Sequence, residues 1–190
     1  EKNVKSKILP LSGLPNKLTV YCNENGFWST FNSDRHGFNN PDNIWDLDDI
    51  EFISLGDSFT LGACVYRKNN ISENFKKLSK SNLLNLGYGG GPLVQLATLI
   101  EYASKKKPKK ILWFFYEGND YQDLDYEKKI PFLKSYLIDK NEYNNLILNQ
   151  KKINLELNSI FNKELIGYLK KTDNDKKYNP ITSFIKLQKL

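Results

Sequence analysis

Ile50-Glu51-Phe52-Ile53-Ser54-Leu55 runs directly into Gly56-Asp57-Ser58-Phe59-Thr60-Leu61-Gly62. A short, largely apolar run that stops at a glycine-flanked polar turn predicts a buried strand with its turn at one end of a sheet. Downstream, Ile71, Phe75 and Leu78 recur at spacings of four and three, which predicts a helix over 70–80 with these residues on its buried face. Leu83-Leu84-Asn85-Leu86 then reads as a second strand running into Gly87-Tyr88-Gly89-Gly90-Gly91-Pro92. Pro92 suits the first turn of a following helix, where a missing N–H costs little. Leu93, Leu96, Leu99, Ile100 and Ala103 predict that helix over 93–103, ended by lysines and Pro108. Ile111-Leu112-Trp113-Phe114-Phe115-Tyr116 is the strongest strand pattern in the chain. Its unbroken apolar run predicts a central parallel strand covered on both faces. Strand, helix, strand, helix, strand predicts an α/β fold with parallel, right-handed βαβ units.

Outside that block the sequence is less regular. Residues 1–49 are punctuated by Pro10, Pro15 and Pro41 and by Gly13, Gly26 and Gly37, with short strands expected near 19–22 and 28–31. They are expected to form an N-terminal extension packed on a core domain of 50–190. Beyond Asp120 no comparable strand pattern follows. Residues 141–170 read as helical through Ile147, Leu148, Ile153, Leu155, Leu157 and Ile160, and a last short helix is expected over 181–190.

Composition narrows the function classes. The 190 residues are 39% hydrophobic and 26% charged, which are values of a globular chain. The net charge of +6 is spread over scattered lysines, and no nucleic-acid-binding motif is present, so no nucleic-acid partner is expected. Two cysteines, Cys22 and Cys64, and a single histidine, His36, fall short of a zinc ligand set, and no metal or cofactor is expected. No stretch reaches membrane-spanning length. The chain starts at Glu1 rather than Met, so the lack of a signal segment says little about location.

In an open parallel sheet, ligands bind beyond the carboxyl ends of the strands. The three strand patterns end in Asp57-Ser58, in a glycine cluster and in Gly118-Asn119-Asp120. Ser58 on a tight turn suits a nucleophile flanked by backbone N–H groups, or simply a helix N-cap. The glycines permit close backbone approach or phosphate binding, although the Lys-Ser/Thr ending of a P-loop is absent. Asn119 suits an oxyanion donor or a turn cap. Asp57, Glu117 and Asp120 are carboxylates of the type that holds magnesium.

These three blocks resemble, in order and placement, the conserved blocks of the GDSL, or SGNH, hydrolase superfamily. The resemblance covers roughly residues 50–123. It implies a three-layer α/β/α sandwich, flavodoxin-like, around a parallel sheet. It also implies Ser58 as nucleophile and first oxyanion donor, Gly90 as the second donor with Gly87 and Gly89 as rivals, and Asn119 as the third. Asp57, Gly89 and His36 are expected near the pocket. The run Asn32-Ser33-Asp34-Arg35-His36-Gly37-Phe38-Asn39-Asn40 is similar to a segment preceding the first block in bacterial members linked to polysaccharides. The implied activity is hydrolysis of small acyl esters, foremost O-acetyl groups of a carbohydrate; the alternative is an inactive glycan-binding or structural module. One departure stands out. The family's late Asp-x-x-His, which supplies acid and base, is missing, and no histidine follows Ser58. Truncation before the final portion accounts for this and for the shortage of strands together. Pairing of Cys22 with Cys64 would tie down the extension and fit an exported or periplasmic protein.

Overall fold

The computed structural model describes residues 10–24, 26–138 and 145–174, with side chains as far as 167. It opens with an antiparallel hairpin, β1 (Leu18–Cys22) and β2 (Ser29–Asn32). The core unit follows as β3 (Phe52–Leu55), α1 (Ser58–Leu61), α2 (Ile71–Ser79), β4 (Leu83–Asn85), α3 (Pro92–Ala103) and β5 (Lys110–Trp113). Three helices close the chain: α4 (Asp120–Glu127), α5 (Pro131–Ile138) and α6 (Gln150–Asn174). The fold is α/β. Its sheet is parallel in the order β4-β3-β5, with Phe52 beside both Leu83 and Lys110. The expected final helix over 181–190 lies outside the described residues.

The buried core is continuous across the chain. Ile53 and Leu55 of β3, Leu84 of β4 and Leu93, Ala97 and Tyr102 of α3 share one cluster with Phe38, Ile44 and Trp45 of the N-terminal region. One buried carboxylate within it is fully satisfied. Asp34, fully buried, accepts the N–H groups of His36 and Phe38 on Oδ1 and those of Asn40 and Trp45 side chains on Oδ2. Four donors compensate the desolvation of that carboxylate and fold residues 34–45 around it.

Two expectations are overturned. β5 is an edge strand, not a central one: among the described residues only β3 pairs with it, and Trp113 is 45% and Tyr116 49% exposed. An apolar run signals burial on both faces only when neighbours exist to supply it. The apolar stripe of α2 is likewise not its buried face. Leu78 is 87% exposed and Ile71 also faces solvent, whereas Ser72 is buried. The Ser72 hydroxyl meets that of Ser54 on β3 at 3.1 Å, and Phe75 packs edge-on against Phe52. Ser72 and Phe75, rather than Ile71 and Leu78, thus face the sheet. In α6, Ile153 is buried, but Leu155 and Ile160 are exposed.

Candidate active site

The first strand end forms a small, tightly capped turn. Asp57, not Ser58, is the N-cap of α1, with Oδ1 accepting the N–H of Phe59 at 2.9 Å. Ser58 is therefore the first helical residue, and no hydrogen bond of its hydroxyl occurs among the described residues. The bland alternative, Ser58 as a mere cap, does not describe this turn. The side chain of Ser58 is partly exposed, and Phe59 beside it is exposed with its ring 5.2 Å from that of Tyr116.

The other end of α1 is held by amides. Asn39 donates to Leu61 O at 2.9 Å and Asn85 donates to Thr60 O at 2.8 Å. Asn85 Oδ1 also accepts the N–H of Gly87, and Tyr88 N–H reaches Gly56 O. The second strand end is thereby bonded to the first. Cys64, just beyond α1, is joined to Cys22 of the hairpin by a disulfide with Cα atoms 4.8 Å apart.

In the glycine cluster, Gly89 and Gly90 are exposed. Gly90 has φ +104°, and a Cβ there would come within 2.7 Å of Val94, so only glycine fits. Gly89 faces open space. At the third strand end, Asp120 is buried and its Oδ2 accepts the N–H of Tyr116 at 2.7 Å, which closes the Tyr116–Asn119 turn. Asn119 is the N-cap of α4, and its Nδ2 donates to Asp123 Oδ2 at 2.7 Å. Asn119 Oδ1 is buried without a hydrogen-bond partner among the described residues.

The three strand ends converge. Gly91 lies against Asp123, and the carboxylates of Asp120 and Asp123 act on Asp57. Burial, first, and these two charges push the Asp57 carboxyl above the ordinary carboxylate range. No family model, curated protein or solved structure matches this chain.

Other residue types gather elsewhere. Asp57, Glu117 and Asp120 do not come within ligating distance of one another as a group. Cys22, Glu24 and Cys64 do, but their sulfurs are bonded together. His36 is not brought to the strand ends. It is 8% exposed, its ring stands edge-on to Trp45 at 4.4 Å and 5.7 Å from Tyr102, and Nδ1 meets Gln150 Oε1 at 2.7 Å. Tyr102 is ten residues along α3 from Pro92, about 15 Å at 1.5 Å per residue. Two residues with a part in the site were missed in the sequence: Asp123 and Glu127. Their signal was the spacing of Asn119, Asp123 and Glu127, each four apart and so on one helix face.

Proposed function

We propose that the protein is a serine esterase of the GDSL/SGNH type acting on small acyl esters, foremost O-acetyl groups of a carbohydrate. The observation that carries this reading is the state of Ser58. Its neighbour Asp57 supplies the cap, and Ser58 itself is partly exposed with no hydrogen bond of its hydroxyl among the described residues, which supports a role as nucleophile. In this reading Ser58 Oγ attacks the ester carbonyl. The Ser58 and Gly90 N–H groups and the Asn119 amide stabilise the oxyanion, the alcohol leaves, and water releases the acid. The fold implied is the three-layer α/β/α sandwich of that family, of which the three parallel strands would be a part. The Cys22–Cys64 disulfide fits an oxidising compartment and with it an exported or envelope protein.

Deprotonation of Ser58 needs a base, and His36, the one histidine of the chain, is buried against Trp45 and Tyr102 with Nδ1 engaged by Gln150. That observation favours a second reading, an inactive glycan-binding or structural module. The two separate cleanly. The protein made from its complete gene is treated with a fluorophosphonate and analysed by mass spectrometry. An adduct on Ser58 is expected; no adduct at any pH would remove the nucleophile role. An Asp-x-x-His encoded downstream in the same reading frame favours the enzyme, and a stop codon after Leu190 favours the module.

A further inference from the structure

We infer that Glu127 is a positioning residue of the oxyanion pocket, holding the glycine loop that carries Gly90 in register with Asn119. The inference rests on the esterase reading above.

The helix α4 carries a polar seam. Asn119 at its start, Asp123 one turn on and Glu127 at its end are spaced by four, and Asp123 and Glu127 lie against Gly91 in the turn before α3. Asn119 Nδ2 is bonded to Asp123. Glu127 uses both oxygens: Oε1 accepts the N–H of Gly91 at 2.7 Å and Oε2 that of Leu93 at 2.8 Å.

α3 cannot supply this cap itself. Gly91, its N-cap, has no side chain, and Pro92 has no N–H. The carboxylate therefore comes from another helix, the same one whose first turn holds Asn119. Gly91 must be glycine for this to fit, since a Cβ would stand 2.5 Å from Asp123 Cβ and 3.0 Å from Glu127 Oε2. The peptide joining Gly90 to Gly91 is gripped on both sides. Gln95 Nε2 donates to Gly90 O at 3.1 Å while Glu127 takes the Gly91 N–H. With Val94 against Gly90, the loop has little freedom left.

The choice of residue is itself informative. Glu127 is 5% exposed and forms no ion pair among the described residues. Burial raises its pKa against the lowering effect of the backbone N–H groups. For stability alone an apolar residue would serve a buried position at least as well. A carboxylate with two backbone partners fixes position in two directions, which a packed methyl group does not. A shift of a donor by about an ångström is enough to weaken transition-state stabilisation.

The test uses the 190-residue chain, p-nitrophenyl acetate as probe and two readouts. The first is the residual hydrolysis that oxyanion donors sustain without a base. Glu127→Ala is expected to lower kcat about 10-fold with KM nearly unchanged, less than removal of a donor itself. Glu127→Gln, which keeps one acceptor oxygen, should recover part of the loss. Adding Glu127→Ala to Asn119→Ala should lower the rate little further. The second readout is amide exchange by NMR, in which the Gly91 and Leu93 N–H groups should exchange markedly faster in Glu127→Ala. Unchanged exchange at both amides overturns the inference. So does an unchanged rate in Glu127→Ala when Asn119→Ala lowers it. If Asn119→Ala leaves the rate unchanged, the oxyanion pocket of the esterase reading fails instead. The positioning role is then decided by exchange and by the Asn119 side-chain amide resonances, which must shift in Glu127→Ala. Should that variant not fold, Glu127→Gln carries the same comparisons.

Discussion

The side-chain amide of Asn39 donates to the carbonyl of Leu61 at 2.9 Å, joining the N-terminal region to the last residue of the helix that begins with Ser58. The same Asn39 accepts from Arg67 Nε, so one buried side chain spans both sides of the loop after α1. Asn39→Ala leaves the Leu61 carbonyl without this donor. The expected loss is about 1 to 3 kcal/mol, the cost of an unmet buried acceptor. Urea unfolding measures it, and a change below a few tenths of a kcal/mol would show that the bond is dispensable.

The disulfide makes the hairpin part of the same scaffold. It closes a loop of 42 residues in sequence. The chain-entropy relation assigns such a cross-link roughly 4 kcal/mol. Reduction, or the double change Cys22→Ser with Cys64→Ser, should lower the urea midpoint accordingly. Amides of β1 and β2 should lose protection before those of β3. Equal unfolding midpoints with and without reductant would refute the expectation.

Two tyrosines make alkaline stability pH-dependent. Burial pushes Tyr88 and Tyr102 up to about 12 from an ordinary value of 10.0. A folded pKa above the unfolded one contributes stability that is present below pH 10 and lost as pH rises toward about 12. Two units correspond to roughly 3 kcal/mol for each group. Urea unfolding between pH 9 and about 12 should show the decline, and Tyr102→Phe should remove about half of it. A flat profile over that window would contradict the burial of these hydroxyls.

His36 is a core residue in this structure, so its loss should separate stability from chemistry. His36→Ala removes an aromatic contact with Trp45 and the bond to Gln150, with an expected cost of about 2 to 4 kcal/mol. Fluorophosphonate labelling of Ser58 in the complete protein, measured well below the melting temperature, should be unaffected. Labelling abolished in a folded variant would place His36 in the reaction after all.

The outer edge of β5 predicts surface behaviour. Trp113 at the end of β5 and Phe115 and Tyr116 just beyond it are exposed, and among the described residues one edge of β5 is unpaired. Such exposed rings bind anilinonaphthalene sulfonate and promote association. Phe115→Lys should reduce dye fluorescence and concentration-dependent scattering of the 190-residue chain. Unchanged dye binding would show that these rings are covered in solution.

Much of this architecture was legible from residue order. The three strand patterns, their parallel arrangement and the helices between them follow from apolar runs, helical spacing and glycine or proline at the joints, all local properties. The placement of Ser58, the glycine cluster and Asn119 at strand ends follows from the same pattern. What the sequence could not settle is which elements lie side by side. The apolar run of β5 was compatible with a central strand, and its edge position depends on what pairs with it. The buried face of α2 was decided by the Ser54–Ser72 pair rather than by its apolar stripe. Whether Ser58 caps α1 turned on one hydrogen bond, donated by the Phe59 N–H to Asp57 Oδ1. His36 and Gln150 are 114 positions apart, yet folding brings them to 2.7 Å. Glu127 and Gly91, 36 positions apart, it brings to 2.7 Å. Local pattern sets each element because it reports backbone preference and burial. Contacts between distant residues depend on packing among all elements at once, and only the tertiary structure decides those.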